Sequence, residues 1–395
     1  MQRRKIRVLR IINRFNIGGP TYNATFLTKF LSDEFVTMLV GGFPEEGESD
    51  SLHIPRSYGI EPTLLPELIR QPNIISDRKA LSKLKSIIKD FKPDIVHTHA
   101  SKAGALGRQA AIECKVPVIV HTFHGHVFHS YFGKFKTWIF KTIERRLAAK
   151  TTGVIAISSL QKEELCWQHK IAPEDKLTVI PLGFDLQQFQ QDIKEKRIKT
   201  RETYGIADDE IAIAIIGRLS PIKNHSFFID VMAKVQNHTT KKLKIFIVGD
   251  GEERPRIEQK IEKDCPNAPI VLTSWIKDIA SFNPGMDIIC LTSNNEGTPV
   301  SLIEAQACNV AVVSTDVGGV RDIVSEGDTG FICPPNDIDY FAKKILFLTE
   351  NENNLKKMSQ NGWSFVEHKF GYQRLVNDVE NYYKEKLREK GYTFA

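Results

Sequence analysis

The chain has 395 residues, of which 41% are apolar and 26% charged, with a formal net charge of +6. This length suits two domains of ordinary size, and the composition is that of a globular protein, which excludes disordered and fibrous classes. No run of 18 apolar residues is present and arginines interrupt the apolar start, so we predict neither a spanning helix nor a signal peptide. The six scattered cysteines include no C-x-x-C pair, which predicts reduced thiols without a disulfide framework or zinc.

Charge is divided unevenly along the chain. Residues 1–200 carry 31 basic and 20 acidic side chains, a net of +11, whereas residues 201–395 carry 23 and 28, a net of −5. Residues 101–150 alone hold nine basic and two acidic side chains. A basic half predicts an anionic partner, and nucleic acid, an anionic membrane face and a phosphorylated substrate are all candidates.

Short apolar runs alternate with helix-period segments, as is typical of parallel α/β units. The first set of predicted strands covers residues 6–12, 36–40, 94–97, 116–122, 153–157 and 177–180. The second set covers residues 211–217, 243–249, 269–273, 287–291, 310–314 and 330–333. Each set supplies one doubly wound sheet, and two such sheets in tandem predict a cleft faced by the strand ends.

A polar, charged segment at 181–201 separates the two sets and marks the domain boundary. We therefore predict an N-terminal domain over 1–190, a C-terminal domain over 191–371 and an amphipathic helix within 372–395. No period of 20–50 residues repeats, which excludes solenoids and propellers.

The first predicted strand runs into the glycine pair Gly18 and Gly19, followed by a helix pattern. Such a turn lets the backbone approach a ligand, and a helix N-terminus attracts anions. An ordinary tight turn explains the pair equally well. Neither it nor the Gly249-Asp-Gly251 sequence completes a dinucleotide fingerprint, which disfavours a nicotinamide enzyme.

Four histidines lie at or directly after the end of the strand predicted at 116–122. No carboxylate or cysteine accompanies them and their spacing fits no single helix face, so metal binding is disfavoured. We expect one of them to line a site at the strand end, with a pKa near neutrality, as a partner for sugar or phosphate. The four residues are His121, His124, His126 and His129.

Residues 127–141 interleave six aromatic side chains with lysines, among them Lys134 and Lys136. This pattern is typical of a segment that inserts aromatics into a lipid surface while lysines meet headgroups. A core helix with a solvated basic face remains the alternative, and the excess of basic residues favours the interface.

Two motifs in the second half predict an anion site. Arg218 and Lys223 lie five apart in a loop after a strand, which suits a diphosphate clamp. After a later strand, Glu296 lies in a loop and Glu304 in the helix that follows. Between the two glutamates, Gly297 and Thr298 present backbone N–H groups where a helix opens near Pro299, a natural phosphate cradle, and we place all three residues in the predicted anion site.

These motifs together resemble the retaining nucleotide-sugar glycosyltransferases of family four over nearly the whole chain. The residues that carry the resemblance are Gly18-Gly19-Pro20, Thr122 to His126, Ile180 to Asp185, Gly217-Arg218, Lys223-Asn224 and the E-x7-E pair Glu296 and Glu304. The resemblance implies the α/β fold called GT-B, in which two Rossmann-like domains face each other across a cleft. The family commonly has Asn-Gly-Val-Asp in the linker where this chain has Leu182-Gly-Phe-Asp185, which leaves the hinge contacts open.

The resemblance also implies roles for individual residues. Glu304 would hold the ribose hydroxyls and Glu296 those of the transferred sugar, while Arg218 and Lys223 would bind the diphosphate in place of a metal ion. The loop at Trp275 and Ile276 would contact the base, which is uracil or guanine.

From the first domain, Gly18 and Gly19 would approach the phosphates or the sugar. His124 would lie at the reacting face of the sugar, with His126 as the alternative. The expected chemistry is front-face displacement, in which a donor phosphate oxygen takes the acceptor's proton.

The implied activity is transfer of a hexosyl or N-acetylhexosaminyl group from a nucleotide sugar, preferably a UDP-sugar, without metal or cofactor. A lipid-linked glycan in capsule, exopolysaccharide or lipopolysaccharide synthesis is the expected acceptor, with His126, Lys134 and Lys136 on the acceptor side. We expect a cytoplasmic protein, peripheral on the inner membrane, that binds no nucleic acid.

Two other classes remain as alternatives. A UDP-sugar epimerase would want carboxylates in the first domain, where residues 95–130 offer only Glu113, and a phosphorylase is usually longer. A non-catalytic sugar-nucleotide binder would not require the whole set of motifs.

Overall fold

The computed structural model describes residues 4–15, 19–43, 51–69, 71, 73–124, 134–266 and 268–393. The chain forms two compact units. Unit 1 comprises residues 1–184 and 372–395, and unit 2 comprises residues 185–371. The predicted boundary at 190/191 lies a few residues beyond the observed division.

Unit 1 is built on a parallel sheet. Its described strands are β1 (Ile6–Arg14), β2 (Phe35–Gly42), β3 (Thr63–Leu64), β4 (Ile95–His99), β5 (Val118–Phe123), β6 (Gly153–Ala156) and β7 (Leu177–Val179). They run in the order β3-β2-β1-β4-β5-β6-β7. Its helices are α1 (Gly19–Lys29), α2 (His53–Ser57), α3 (Ile74–Phe91), α4 (Ser101–Glu113), α5 (Lys134–Lys150), α6 (Ser159–Glu163) and a C-terminal helix (Tyr372–Arg388).

The C-terminal helix covers one face of this sheet. Its apolar residues Leu375 and Val379 are buried in one cluster with Val8 of β1 and Ile95 of β4. Burying each such side chain contributes about 1.5–3 kcal/mol, which holds the helix on unit 1 although 187 residues of unit 2 precede it.

Small residues allow α4 to approach the opposite face closely. A Cβ atom on Gly104 would lie 2.4 Å from Cε1 of His121, and one on Gly107 would lie 2.7 Å from Cγ2 of Thr98. Any larger residue at these two positions would force the helix away from β4 and β5.

Unit 2 repeats the parallel architecture. Its described strands are β8 (Glu210–Ile216), β9 (Lys242–Val248), β10 (Ile270–Thr273), β11 (Ile288–Leu291), β12 (Ala311–Thr315) and β13 (Gly330–Cys333). They run in the order β10-β9-β8-β11-β12-β13. Its helices are α7 (Ile193–Tyr204), α8 (His225–His238), α9 (Arg254–Asp264), α10 (Ile279–Phe282), α11 (Val300–Ala307), α12 (Val320–Ile323), α13 (Ile338–Thr349) and α14 (Glu352–Phe370).

The sequence prediction of the strands is confirmed for all twelve apolar runs, but it missed the two-residue edge strand β3. The division between the units lies within the segment 181–201, as predicted, but the sequence prediction missed α7, which covers most of the second half of that segment. Two arginines of this helix form ion pairs with Asp287: Nη2 of Arg197 lies 2.7 Å and Nη1 of Arg201 3.3 Å from its carboxylate. Ion pairs of this kind leave no apolar periodicity in the sequence.

Within the described parts of the chain, no helix is both long and apolar enough to cross a membrane.

Candidate functional site

The loops that follow the parallel strands of unit 2 lie at the carboxyl end of the sheet, and hydrogen bonds join two of them. The backbone N–H of Asn294, after β11, donates to the carbonyl of Ile222, after β8, at 2.8 Å. The hydroxyl of Thr292 donates to the carbonyl of Lys223 at 3.1 Å. The fold thus brings the predicted basic loop and the predicted carboxylate loop together.

A direct ion pair lies where these loops meet. Nζ of Lys223 is 2.5 Å from Oε1 of Glu296, and the hydroxyl of Ser293 donates to the same oxygen at 2.6 Å. The side chains of Lys223 and Glu296 are 26% and 11% exposed, respectively. A cation and a carboxylate are therefore held side by side and still reachable, which suits a ligand with both anionic and hydroxyl groups.

The loop after β12 supports Glu296 from behind. Gly318 has φ +54°, and a Cβ atom there would lie 1.7 Å from the carbonyl oxygen of Glu296. The hydroxyl of Thr315 donates to the carbonyl of Ser293 at 2.8 Å. Only glycine permits this approach, so the glycine-rich turn at 316–319 fixes the backbone of the carboxylate loop.

The pair Gly249 and Gly251 does the same for the basic loop. Both have positive φ, and Cβ atoms on them would lie 2.0 Å from the carbonyl oxygen of Gly217 and 2.4 Å from that of Leu219. These glycines allow close backbone packing between the loops after β8 and β9. This packing accounts for the Gly249-Asp-Gly251 sequence without a dinucleotide-binding role.

Arg218 extends from the same basic loop toward solvent. Its Nη2 is 3.2 Å from Oε2 of Glu252, and the two side chains are 68% and 52% exposed. So exposed a pair contributes at most about 1 kcal/mol. A bound anion can therefore exchange for Glu252 at little cost.

Helix α11 begins directly after the carboxylate loop, behind Gly297, Thr298 and Pro299. No described side chain caps its N-terminus, and a Cβ atom on Gly297 would meet open space. The first N–H groups of a helix lack partners within it and carry partial positive charge. This end of α11 can therefore receive a phosphate next to Lys223.

Glu304 lies one turn further along α11 and is half-buried. Burial raises the pKa of its carboxyl to about 7, so that near neutral pH it is poised between its acid and carboxylate forms. Trp275 and Ile276 follow β10 at the same edge of the sheet, and Trp275 is 57% exposed. An exposed indole offers a flat apolar face to a planar ligand group.

In unit 1, His124 follows β5 and hydrogen bonds to a second histidine. Its Nε2 is 2.8 Å from Nδ1 of His99, the last residue of β4. Burial lowers the pKa of His124 to about 3, so the expectation of a pKa near neutrality was wrong and the imidazole is uncharged. His121 points to the other face of the sheet, with Nδ1 2.8 Å from the hydroxyl of Thr98.

Family models match most of both units. The model described as Glycosyltransferase Family 4 matches residues 33–188, and that described as Glycosyl transferases group 1 matches residues 196–364. Among curated proteins, the UDP-Gal:alpha-D-GlcNAc-diphosphoundecaprenol alpha-1,3-galactosyltransferase of Escherichia coli is 30% identical over 328 residues, 82% of this chain and 84% of its own length. The chain belongs to the family four glycosyltransferases.

Other relatives agree with this assignment. The Staphylococcus aureus capsular polysaccharide biosynthesis glycosyltransferase CapM is 29% identical over 80% of this chain and 83% of its own. A solved glycosyltransferase from Rickettsia africae matches with a TM-score of 0.79 at 20% identity, covering 97% and 99% of the two chains. Anabaena HepE in complex with UDP matches equally well at 18% identity over 96% and 100%. The predicted GT-B fold is confirmed.

Several predicted site residues of the glycosyltransferase lie outside the described residues. They include Gly18, His126 and the segment 127–133. Gly19 begins α1, where a Cβ atom would lie 3.2 Å from Cδ1 of Leu182. Lys134 and Lys136 lie in the first turn of α5, and only their backbone is described. Their roles, like those of the other site residues, stay predictions.

Sequence reasoning missed a buried polar network behind His124. Arg10 donates to the hydroxyl of Tyr383 at 3.1 Å, and that hydroxyl lies 2.5 Å from Nδ1 of His97. Nε2 of His97 lies 2.7 Å from the hydroxyl of Thr122. These hydrogen bonds form one chain, into which Arg10 donates at one end and which passes through Tyr383 and His97 to Thr122.

The signal for these residues was present in the sequence as His97-Thr-His99, but the predicted strand ended at 97. Among the residues that the structure describes, no group of three or more His, Cys, Asp or Glu side chains is arranged to hold a metal ion.

Proposed function

We propose that this glycosyltransferase moves a sugar from a UDP-sugar to a hydroxyl of a lipid-linked glycan, with retention of anomeric configuration and without a metal ion. The observation that carries the proposal is the Lys223–Glu296 pair beside the uncapped start of α11. The Escherichia coli relative, named for UDP-Gal and a diphosphoundecaprenol acceptor, supports the donor and the acceptor class.

In this proposal the diphosphate binds Lys223 and the first N–H groups of α11, and Arg218 exchanges Glu252 for a phosphate oxygen. Two cations and a helix N-terminus offset the charge that a metal ion would otherwise neutralise. As the bond to the sugar breaks, negative charge grows on the departing UDP, and these groups stabilise it.

The remaining residues of unit 2 recognise the rest of the donor. Glu304 in its carboxylate form accepts hydrogen bonds from the ribose hydroxyls. Glu296, already held by Lys223 and Ser293, accepts from hydroxyls of the sugar. Trp275 and Ile276 contact the uracil ring through apolar faces. Each assignment places an acceptor opposite donors and an apolar group opposite a planar base.

Retention follows from displacement on one face of the sugar. The acceptor oxygen forms its bond to the anomeric carbon on the face from which the bond to the phosphate oxygen breaks. The acceptor's proton passes to that phosphate oxygen, so UDP leaves with the proton. Lys223 and α11 hold the phosphate in place while the proton moves.

We extend the acceptor assignment to a membrane-binding surface on α5 of unit 1. Its exposed side chains include Trp138 and Ile143 as well as Arg146 and Lys150. Aromatic and basic side chains together suit an anionic lipid surface.

Vesicle flotation at low salt tests this assignment. The wild type should float with anionic vesicles, Trp138→Ala should bind them less, and the exposed control Tyr340→Ala should bind them as the wild type does. Equal retention by neutral vesicles, or no retention, contradicts this assignment.

The transferase proposal is tested by incubating the full chain with UDP-galactose, UDP-glucose or UDP-N-acetylglucosamine and a diphosphoundecaprenol-linked N-acetylglucosamine, in EDTA. NMR of the product should show an α-linked sugar from one of these α-linked donors. A β-linked product contradicts retention, and activity that requires Mg²⁺ contradicts metal independence. Activity with GDP-sugars alone contradicts the base assignment.

A further inference from the structure

The bond between His99 and His124 joins two uncharged rings. Burial lowers the pKa values of both histidines, that of His99 well below its usual value. A neutral imidazole has one N–H, so of the two facing nitrogens, 2.8 Å apart, one donates and the other accepts. The position of this single hydrogen therefore sets the tautomer of both rings.

The two outer nitrogens then have opposite characters. When His99 donates, His124 carries its hydrogen on Nδ1, and Nε2 of His99 is an acceptor; when His124 donates, the two characters exchange. Both outer nitrogens are buried, and neither has a hydrogen-bond partner in the part of the chain that the structure describes. Buried polar atoms are normally paired, so an unpaired nitrogen at the end of a strand points to a ligand group.

The ring of His99 is held firmly by its surroundings. Its centroid is 4.2 Å from that of His97, which Tyr383 and Thr122 fix on either side. The next residue, Ala100, has φ +65° and ψ 162°, a conformation that costs a non-glycine residue free energy. Such backbone strain is found where the exact direction of a neighbouring side chain matters.

We propose that His99 is a positioning residue: it holds Nε2 of His124 so that Nδ1 of His124 meets a substrate hydroxyl. This inference rests on the proposed function. A hydroxyl both donates and accepts, so it can pair with Nδ1 of His124 whichever of the two neutral tautomers His99 fixes. His99 does not touch the substrate and acts through His124.

Two variants separate the hydrogen bond from the ring. His99→Phe keeps a ring against His97 and removes Nδ1, whereas His99→Asn places an amide near the position of Nδ1 without the ring. His121→Leu is the matched control, because it removes another buried histidine of the same sheet, whose partner is Thr98. All are made in the full chain, and thermal melting confirms that each is folded.

The first readout needs no substrate: ¹⁵N NMR of the histidine ring nitrogens reports the tautomer of His124 in the free protein. The second is steady-state kinetics with the UDP-sugar. In His99→Phe we expect altered ring-nitrogen shifts for His124 and a kcat reduced about tenfold to a hundredfold, with UDP affinity unchanged. His99→Asn should recover part of the kcat, and His121→Leu should alter neither readout.

Unchanged ring-nitrogen shifts of His124 in His99→Phe overturn the proposal, and so does an unchanged kcat. If His99→Phe does not fold, His99→Asn takes its place. A His99→Asn protein with wild-type ring-nitrogen shifts of His124 and a kcat below that of His121→Leu overturns the proposal as well. If the wild type transfers no sugar, the proposed function fails, while the NMR shifts still decide whether His99 sets the tautomer of His124.

Discussion

The candidate site residues at the carboxyl ends of the strands differ between the two units in charge and in burial. In unit 2 they are ions that solvent reaches, as with Lys223 at 26% exposed and Arg218 at 68%. In unit 1 they are neutral imidazoles, with His97 and His99 fully buried. The first kind of group binds an anion, and the second orients hydrogen bonds without attracting charge.

The net charge of a region therefore does not locate its anion site. The second half of the sequence is net acidic, yet its loops after β8 and β11 bring Lys223 and the start of α11 together. The first half is net basic, and the histidines of its β4 and β5 edge are uncharged. Local placement by the fold decides which charges a ligand meets.

If buried polar groups in unit 1 serve structure, breaking one should cost stability and leave nucleotide binding intact. Arg108 on α4 and Glu144 on α5 form such a pair, with Nη2 and Oε2 2.6 Å apart. Arg108→Met leaves the carboxylate of Glu144 buried without its partner, and we expect the free energy of unfolding to fall by about 3–5 kcal/mol. Urea denaturation measures this change, with the exposed Arg56→Met as control. A loss as small as the control's contradicts the prediction.

Breaking the pair in unit 2 should instead cost activity. Lys223→Ala removes the cation beside the phosphate site, and we expect kcat/KM to fall about 10²–10³-fold. Lys242→Ala is the matched control, because Lys242 forms a solvent-exposed pair with Asp209 in the same unit. Equal rates for the two variants would exclude Lys223 from the site.

Glu304 makes the donor site pH-dependent in a defined direction. With its pKa raised to about 7, the carboxylate that ribose hydroxyls require forms as the pH rises, so UDP affinity should increase about tenfold from pH 6 to pH 8. Between the ordinary pKa of a glutamate and about pH 7, the folded protein binds a proton that the unfolded chain does not. The contribution of this group to the free energy of unfolding therefore falls as the pH rises through that range. Calorimetry should show both trends, and Glu304→Gln should abolish them.

The smallest expected effect concerns the backbone next to His99. Ala100→Gly relieves the positive φ at the start of α4, and we expect stability to change by about 1 kcal/mol in the stabilising direction. Thermal melting measures it. A destabilised Ala100→Gly variant would show that the conformation of Ala100 is not strained.

The strands of both units could be predicted because they are buried on both faces and read as continuous apolar runs. β3 could not, since a two-residue edge strand has no pattern of its own. Helix α7 was missed for a different reason: its contacts with the rest of unit 2 include ion pairs of Arg197 and Arg201 with Asp287, about 90 positions away. Periodicity of apolar residues carries no information about contacts of this kind.

The candidate site was predictable where a motif is local and not where partners are distant in sequence. Glu296 and Glu304 belong to one loop and its helix, so their spacing is visible in the chain. His99 meets His124 only because β4 and β5 are neighbours in the sheet. The low pKa of His124 depends on that packing, which a count of nearby histidines does not reveal.

The decisive test of the donor site is a calorimetric titration of the protein with UDP at pH 8 in EDTA. We predict one UDP bound per chain, binding abolished or strongly weakened in Lys223→Ala, and affinity unchanged in His99→Phe. Binding that appears only with a divalent cation, or that survives Lys223→Ala unchanged, would contradict a metal-independent donor site built on Lys223, Glu296 and α11.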